Sequence, residues 1–213
     1  MLKTIMPSIN RLITADYKSV KSPETEALLQ ESLRGLTPVE TPELRQVSGI
    51  PGAGKSTFCA AHLPPNFLFL SFDRIMLSLA SYRRDLAQLG SVAAYKNNEM
   101  PARIIGYELL RRAMNRKLNI LFEHSGTNPA HLELFKNIRK KGYRTAVDFI
   151  VCDTGLAITR AAERAKQTKR YIPEEVIRER ASGVQKYITA YRELTPAVKL
   201  FDGANNFRPL KKI

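Results

Sequence analysis

The sequence predicts an α/β fold: three layers, α/β/α, around a parallel sheet of about five strands. Three observations predict it. Apolar runs of strand length alternate with segments of helical periodicity from about residue 44 to near the end. The runs are close to continuous, as strands covered on both faces require. The stretch "VSGIPGAGKSTF", positions 47–58, leads from one such run through a glycine-rich loop into a helical pattern.

Residues 1–40 form a preface, an N-terminal helical extension and connector. Ser22-Pro23-Glu24-Thr25 before "EALLQESLRG" reads as a capped helix ending near Gly35, and "LTPVETPE" is the connector. Residues 41–213 form the main domain. "LRQVSGI" is its first strand, "KSTFCAAHL" the helix after the loop, and "FLFLSFD", Phe67 to Asp73, a buried strand. A helical region over about 75–117 follows, with breaks expected at Gly90 and Pro101. "NILFEHSGT" gives a strand ending near Glu123, "PAHLELFKNIRKKG" a helix with a glycine stop, and "YRTAVDFIVCDT" another strand. Residues 155–194 are helical with an interruption around Tyr171 to Pro173, and "AVKLFDGANNFRPL" supplies a last strand with a turn.

The chain has 213 residues and a formal charge of +14, which favours acidic or phosphorylated ligands. The charges are dispersed, without zinc-finger spacing or an aromatic-rich RNA-binding signature, so nucleic acid is the lesser alternative as a partner. No apolar run has the length of a membrane span, and the N-terminal stretch lacks the features of a signal peptide. Cys59 and Cys152 sit in apolar settings. A cytoplasmic protein with reduced thiols and no membrane insertion is expected. His62, His124 and His131 have no metal-ligand spacing.

The loop has the form G-x-x-x-x-G-K-S, the phosphate-binding P-loop. Gly49, Gly52 and Gly54, with Ala53 between them, let the backbone turn its amides toward phosphate oxygens. The helix that follows adds its unsatisfied amides and positive end. Lys55 reaches the outer phosphates, the Ser56 hydroxyl can ligate Mg²⁺, and Thr57 supports the helix start. ATP or GTP with Mg²⁺ is therefore the expected cofactor.

Further residues separate phosphate transfer from a switch or motor. One acid ends each of two strands, Asp73 and Glu123, facing the crevice that holds the loop. Asp73 is the candidate base, though it is also placed to cap a helix, and Glu123 the candidate for substrate or metal. Arg160, Arg164, Lys166, Lys169 and Arg170 crowd one span, as a basic lid over about 155–173 would. Arg74, with Arg83 and Arg84 beyond it, could meet an anionic substrate. Thr127 could hydrogen-bond a polar one, as could Ser125 and Asn128, which can equally cap the next helix.

The order of P-loop, Asp73, "FEHSGT", "VCDTGLAITRAAER" and "TKRYIPEEVI" resembles the zeta-toxin family of P-loop kinases, from about Gln46 through Gly183. The resemblance implies ATP- or GTP-dependent phosphorylation of a hydroxyl on a UDP-linked amino sugar. It also implies a small helical antitoxin partner, acidic to match this charge. Carried over by position, Lys55 and Ser56 hold phosphates and Mg²⁺, Asp73 lies in the catalytic-base region, and Glu123 binds on the sugar side. Arg160 and Arg170 become lid arginines, with Arg164 beside them. One departure is plain: Ser71 stands where the family often has a first acid, two residues before Asp73. A kinase for another hydroxyl, in a nucleoside, an antibiotic or a polynucleotide end, is the alternative, as is a nucleotide-binding regulator without transfer.

Overall fold

The computed structural model describes residues 16–211; the expected extension's residues 1–15 lie outside them. A short 3-10 turn, Tyr17–Val20, precedes helix α1, Pro23–Leu33. Ser22 and Thr25 cap α1 reciprocally: the Thr25 amide donates to Ser22 Oγ at 3.1 Å and the Ser22 amide to Thr25 Oγ1 at 2.8 Å. The chain then runs β1 Glu43–Ser48, α2 Lys55–His62, β2 Phe67–Ser71, α3 Phe72–Ser78, α4 Ala80–Leu89 and α5 Ser91–Asn115. It continues β3 Asn119–Glu123, α6 Pro129–Lys140, β4 Arg144–Val151, α7 Thr154–Thr168, α8 Glu174–Leu194, β5 Val198–Asp202 and β6 Arg208–Leu210.

The strands form one sheet in the order β2-β3-β1-β4-β5-β6. Five are parallel, and β6 returns antiparallel on β5, so the C-terminal stretch is a hairpin and the sheet has six strands. Neighbouring strand residues serve opposite layers. Ile120 and Phe122 of β3 join the core under α1, α5, α6 and α8, whereas Leu121 between them joins the one under α2 and α7. Val147 and Phe149 against Ile150 repeat this in β4. Each such burial is worth about 1.5–3 kcal/mol, and the two-sided demand is what made the strand sequences continuous apolar runs.

Helix α1 packs into the first core through Leu29 and Leu33, and Glu26 accepts both Nη atoms of Arg112 on α5 at 2.9 and 3.0 Å. Boundaries differ from expectation in three places, one of them an unexpected break at Leu79 between α3 and α4. The strand over Phe67–Asp73 stops at Ser71, because Phe72 turns inward against Tyr107 and Phe122 and onto Gly106, which has no side chain to obstruct the ring. Asp73 thus sits in the first turn of α3, and Ser71 holds the cap position. Pro101 does not break α5. The helix is clamped on both sides of it by buried Ala94, Asn98, Ala102 and Ile105, and Asn98 donates to Asp85 on α4 at 3.0 Å. That packing offsets the roughly 3 kcal/mol a helical proline costs.

Candidate active site

The order β3-β1-β4 places the loop after β1 between strands that lead to opposite sides of the sheet, where open α/β sheets bind ligands. Register brings Ser71 of β2, Glu123 of β3 and Val47 of β1 side by side at the carboxyl ends. A cavity of about 850 Å³ opens there.

One wall is the loop. Gly54 caps α2 in the left-handed conformation, φ +98°, with no side-chain cap, so the first amides of the helix are left for a ligand. Gly52, φ +85°, runs so close to the Ala157 carbonyl of α7 that a Cβ would collide with it. Lys55 Nζ donates to the Ile50 carbonyl at 3.0 Å. Burial pushes its ammonium down to about 8; Glu123 opposes that shift, and Arg170, Arg180 and Arg164 add to it. Ser56 Oγ donates to Glu123 Oε1 at 2.6 Å, and Glu123 Oε2 is buried without a partner. Thr57 is exposed on the cavity side. Gly49 and Ala53 lie behind this wall, their amides bonded to the carbonyls of Ser125 at 3.2 Å and Ile50 at 3.2 Å. Neither lines the cavity.

The lid residues converge on the loop. Arg170, in the break between α7 and α8, makes a close ion pair with Asp73, and burial pulls its guanidinium down to about 10. Arg164 has Nε and Nη2 buried without partners; burial lowers its pKa, and Glu123 opposes that shift. Arg160 donates to the Gly203 carbonyl at 2.7 Å and still lines the cavity. Thr127 also lines it, with a buried, unpartnered hydroxyl. Arg74 is exposed at the rim, 5.0 Å over the Phe69 ring. Asn128 caps α6, accepting from the Ala130 amide at 2.8 Å. Arg83 and Arg84 do not line the cavity; Arg83 donates to the Ser78 carbonyl at 2.8 Å and both are exposed.

Sequence reasoning missed the far wall. Arg180 of α8, Arg103 of α5 and His131 of α6 line the cavity with Tyr95 and Glu99. Arg103 pairs with Glu99 at 2.6 Å. Arg180 has no hydrogen bond or ion pair among the described residues; burial lowers its pKa, Tyr95 and Glu99 opposing and Arg103 reinforcing the shift. His131 is pushed down to about 3 by burial and carries a buried, unpartnered Nδ1; His124, well below its ordinary value for the same reason, accepts from the Gly126 amide at 3.0 Å. The available signal was Tyr95-Glu99-Arg103, a polar stripe at four-residue spacing. Seven cationic side chains and four carboxylates line the cavity in all, an excess suited to phosphate.

Serine and carboxylate beside a P-loop lysine fit Mg²⁺, which binds one or two protein oxygens and completes its shell with water and phosphate. The unpartnered Glu123 Oε2 is the atom of this chain that favours such an ion.

A family model described as zeta toxin matches residues 26–206. No curated protein matches the chain in sequence. Among solved structures, a chain from the PezAT chromosomal toxin–antitoxin system of Streptococcus pneumoniae superposes with a TM-score of 0.70 at 14% identity, over 89% of this chain and 80% of that one. A chain of the AvrRxo1-ORF1:-ORF2 complex gives 0.68 at 13% identity, over 89% and 66%. The same complex determined with ATP gives 0.62 at 13% identity, over 96% and 66%. No helix among the described residues is long and apolar enough to cross a membrane.

Proposed function

The chain belongs to the zeta toxin family of P-loop kinases, and on that premise we propose that it transfers the terminal phosphate of ATP or GTP to a hydroxyl of a UDP-linked amino sugar. The observation that carries this is the meeting of Asp73 and Arg170 across from Lys55, with Arg164 beside them and room for an acceptor beyond. A triphosphate arriving on the loop competes for Arg170. The Asp73 carboxylate is then released to take a proton from the acceptor hydroxyl. Lys55, Arg164 and Arg170 neutralise the phosphoryl group as it moves. Mg²⁺, held from the Ser56 and Glu123 side, would add charge neutralisation between the phosphates. Glu123 is thus read as metal-side, with Thr127 and Arg74 left to the acceptor. Arg180 and Arg103 suit the diphosphate of a nucleotide sugar, and Thr127 and His131 suit its hydroxyl and amide groups. The cationic cavity would also accept a small acidic helical antitoxin, as the toxin–antitoxin setting of a structural relative suggests.

The test is transfer of label from γ-labelled ATP or GTP, with Mg²⁺, to a panel of nucleotide sugars, nucleosides and oligonucleotides. Label on a UDP-amino sugar is the expected result; label only in inorganic phosphate under every condition ends the kinase reading. Asp73→Asn should lower transfer by about 10²–10⁴-fold while nucleotide binding persists. Transfer at the wild-type rate would remove Asp73 as the base.

A further inference from the structure

The turn between β5 and β6 lies against the back of the phosphate loop. Gly203 packs on the Ala53 carbonyl, and its own amide donates to the Val151 carbonyl at 2.7 Å. The Phe207 ring covers Gly54: a Cβ built on that glycine would stand 3.1 Å from Cε1 and 3.2 Å from Cζ of the ring. The same ring meets Phe58 of α2 edge-on, with centroids 5.4 Å apart. The turn is also strained in a definite place. Asn206 and Phe207 are consecutive non-glycine residues in the left-handed region, φ +47° and +56°. Asp202 fastens the turn, its side chain accepting from the Ala204 amide at 2.9 Å and its carbonyl from the Phe207 amide at 3.0 Å. A strained backbone held by several bonds, with its aromatic ring delivered to the residue that caps α2, is costly to maintain for packing alone.

We infer that Phe207 is a positioning residue for the donor nucleotide. Its ring holds Gly54, and through Gly54 the first amides of α2, in the geometry that receives the triphosphate. Phe207 does not line the cavity, so it acts through the loop and not on the ligand. The bond from Arg160 on α7 to the Gly203 carbonyl ties the same turn to the lid. Loop and lid therefore share one support behind them. The inference rests on the kinase reading only in requiring that the loop bind a triphosphate.

The experiment compares Phe207→Ala, Phe207→Leu and Phe207→Tyr in the full chain, measuring direct binding of Mg²⁺ with a non-hydrolysable ATP analogue, transfer kinetics and thermal unfolding. Phe207→Ala should weaken analogue binding and raise the donor KM by roughly ten- to a hundredfold, with acceptor KM unchanged. Phe207→Tyr keeps the flat ring and should bind within about twofold of wild type, with Phe207→Leu between them. If the alanine variant does not fold, the leucine and tyrosine pair decides: equal affinities in the two overturn the proposal. So does wild-type donor affinity in Phe207→Ala, or a joint fall of donor affinity, acceptor affinity and stability, which would mark a core residue only. A wild-type chain that binds no analogue overturns it too, and with it the phosphate-loop reading. Analogue binding without transfer leaves the inference standing while the kinase reading fails.

Discussion

The wall of the cavity formed by the phosphate loop, from Pro51 to Thr57, and the wall facing it, formed by α5, α6 and α8, present polar groups to the same space by different means. The first is mostly backbone: a left-handed Gly54, free amides at the start of α2, and two side chains adjacent in sequence, Lys55 and Ser56. The second is all side chain. Arg103, His131 and Arg180 come from three helices spread over 78 positions of the chain, and each reaches the cavity only because its helix is packed where it is. On the far side His131 Nδ1 lacks a partner, whereas Lys55 and Ser56 are already hydrogen-bonded. A site made of backbone is local and repeats as a motif. A site made of side chains can be reassigned one residue at a time, which suits the part of a kinase that chooses the acceptor.

Lys55 is where the two walls should differ most. Lys55→Ala should lower transfer to every acceptor alike by roughly 10²–10³-fold, since the phosphate wall serves all of them. Unequal losses across acceptors would mean that the walls are not separate. The wild-type chain carries its own version of this test. Burial disfavours the Lys55 ammonium and brings its pKa down to about 8, so the charged fraction in the free enzyme is lost as pH rises through that value. The donor kcat/KM should fall about tenfold per pH unit above it, with a smaller effect on kcat, because bound triphosphate restores the ammonium. A flat profile to pH 10 would show the lysine better solvated than its surroundings imply.

Arg180→Gln addresses the opposite wall. Losing one charge-assisted hydrogen bond costs about 1.5–3 kcal/mol, so the KM of a phosphorylated acceptor should rise roughly ten- to a hundredfold with the donor KM unchanged. An acceptor without an anionic group should hardly notice. A rise in donor KM instead would assign Arg180 to the triphosphate.

These two walls differed in how far they could be read from sequence. The loop was legible residue by residue because its chemistry is encoded in consecutive positions, and the continuous apolar runs announced a sheet covered on both faces. Asp73 and Glu123 could be read as acids at strand ends, and Arg164 and Arg170 as members of one basic cluster; all four line the cavity. Arg180 was not, because its role depends on the angle at which α8 leaves the lid, and no local pattern carries that angle. Pro101 misled for a related reason: propensity is a local cost, and the buried residues on either side of the proline outweigh it. The strand-to-helix change at Ser71 was hidden by Phe72, apolar enough for β2 but committed to α5.

The smallest expected effect separates charge in the sequence from charge at the site. Arg83 and Arg84 follow Asp73 closely and share the sign of the chain's +14, which made them candidates for an anionic substrate. In the fold they occupy the outer face of α4, with Arg83 bonded to a carbonyl of its own neighbourhood and Arg84 3.5 Å from Asp85. Exposed charges at that remove are screened by salt within about 8–10 Å. Arg83→Ala with Arg84→Ala should therefore leave kcat and both KM values within about twofold of wild type at physiological ionic strength. A tenfold loss for phosphorylated acceptors would extend the acceptor wall beyond the cavity, onto the surface of α4. The unchanged result would leave the excess charge outside the cavity without a part in transfer, and would confine acceptor choice to the guanidinium groups that the packing of α5 and α8 turns inward.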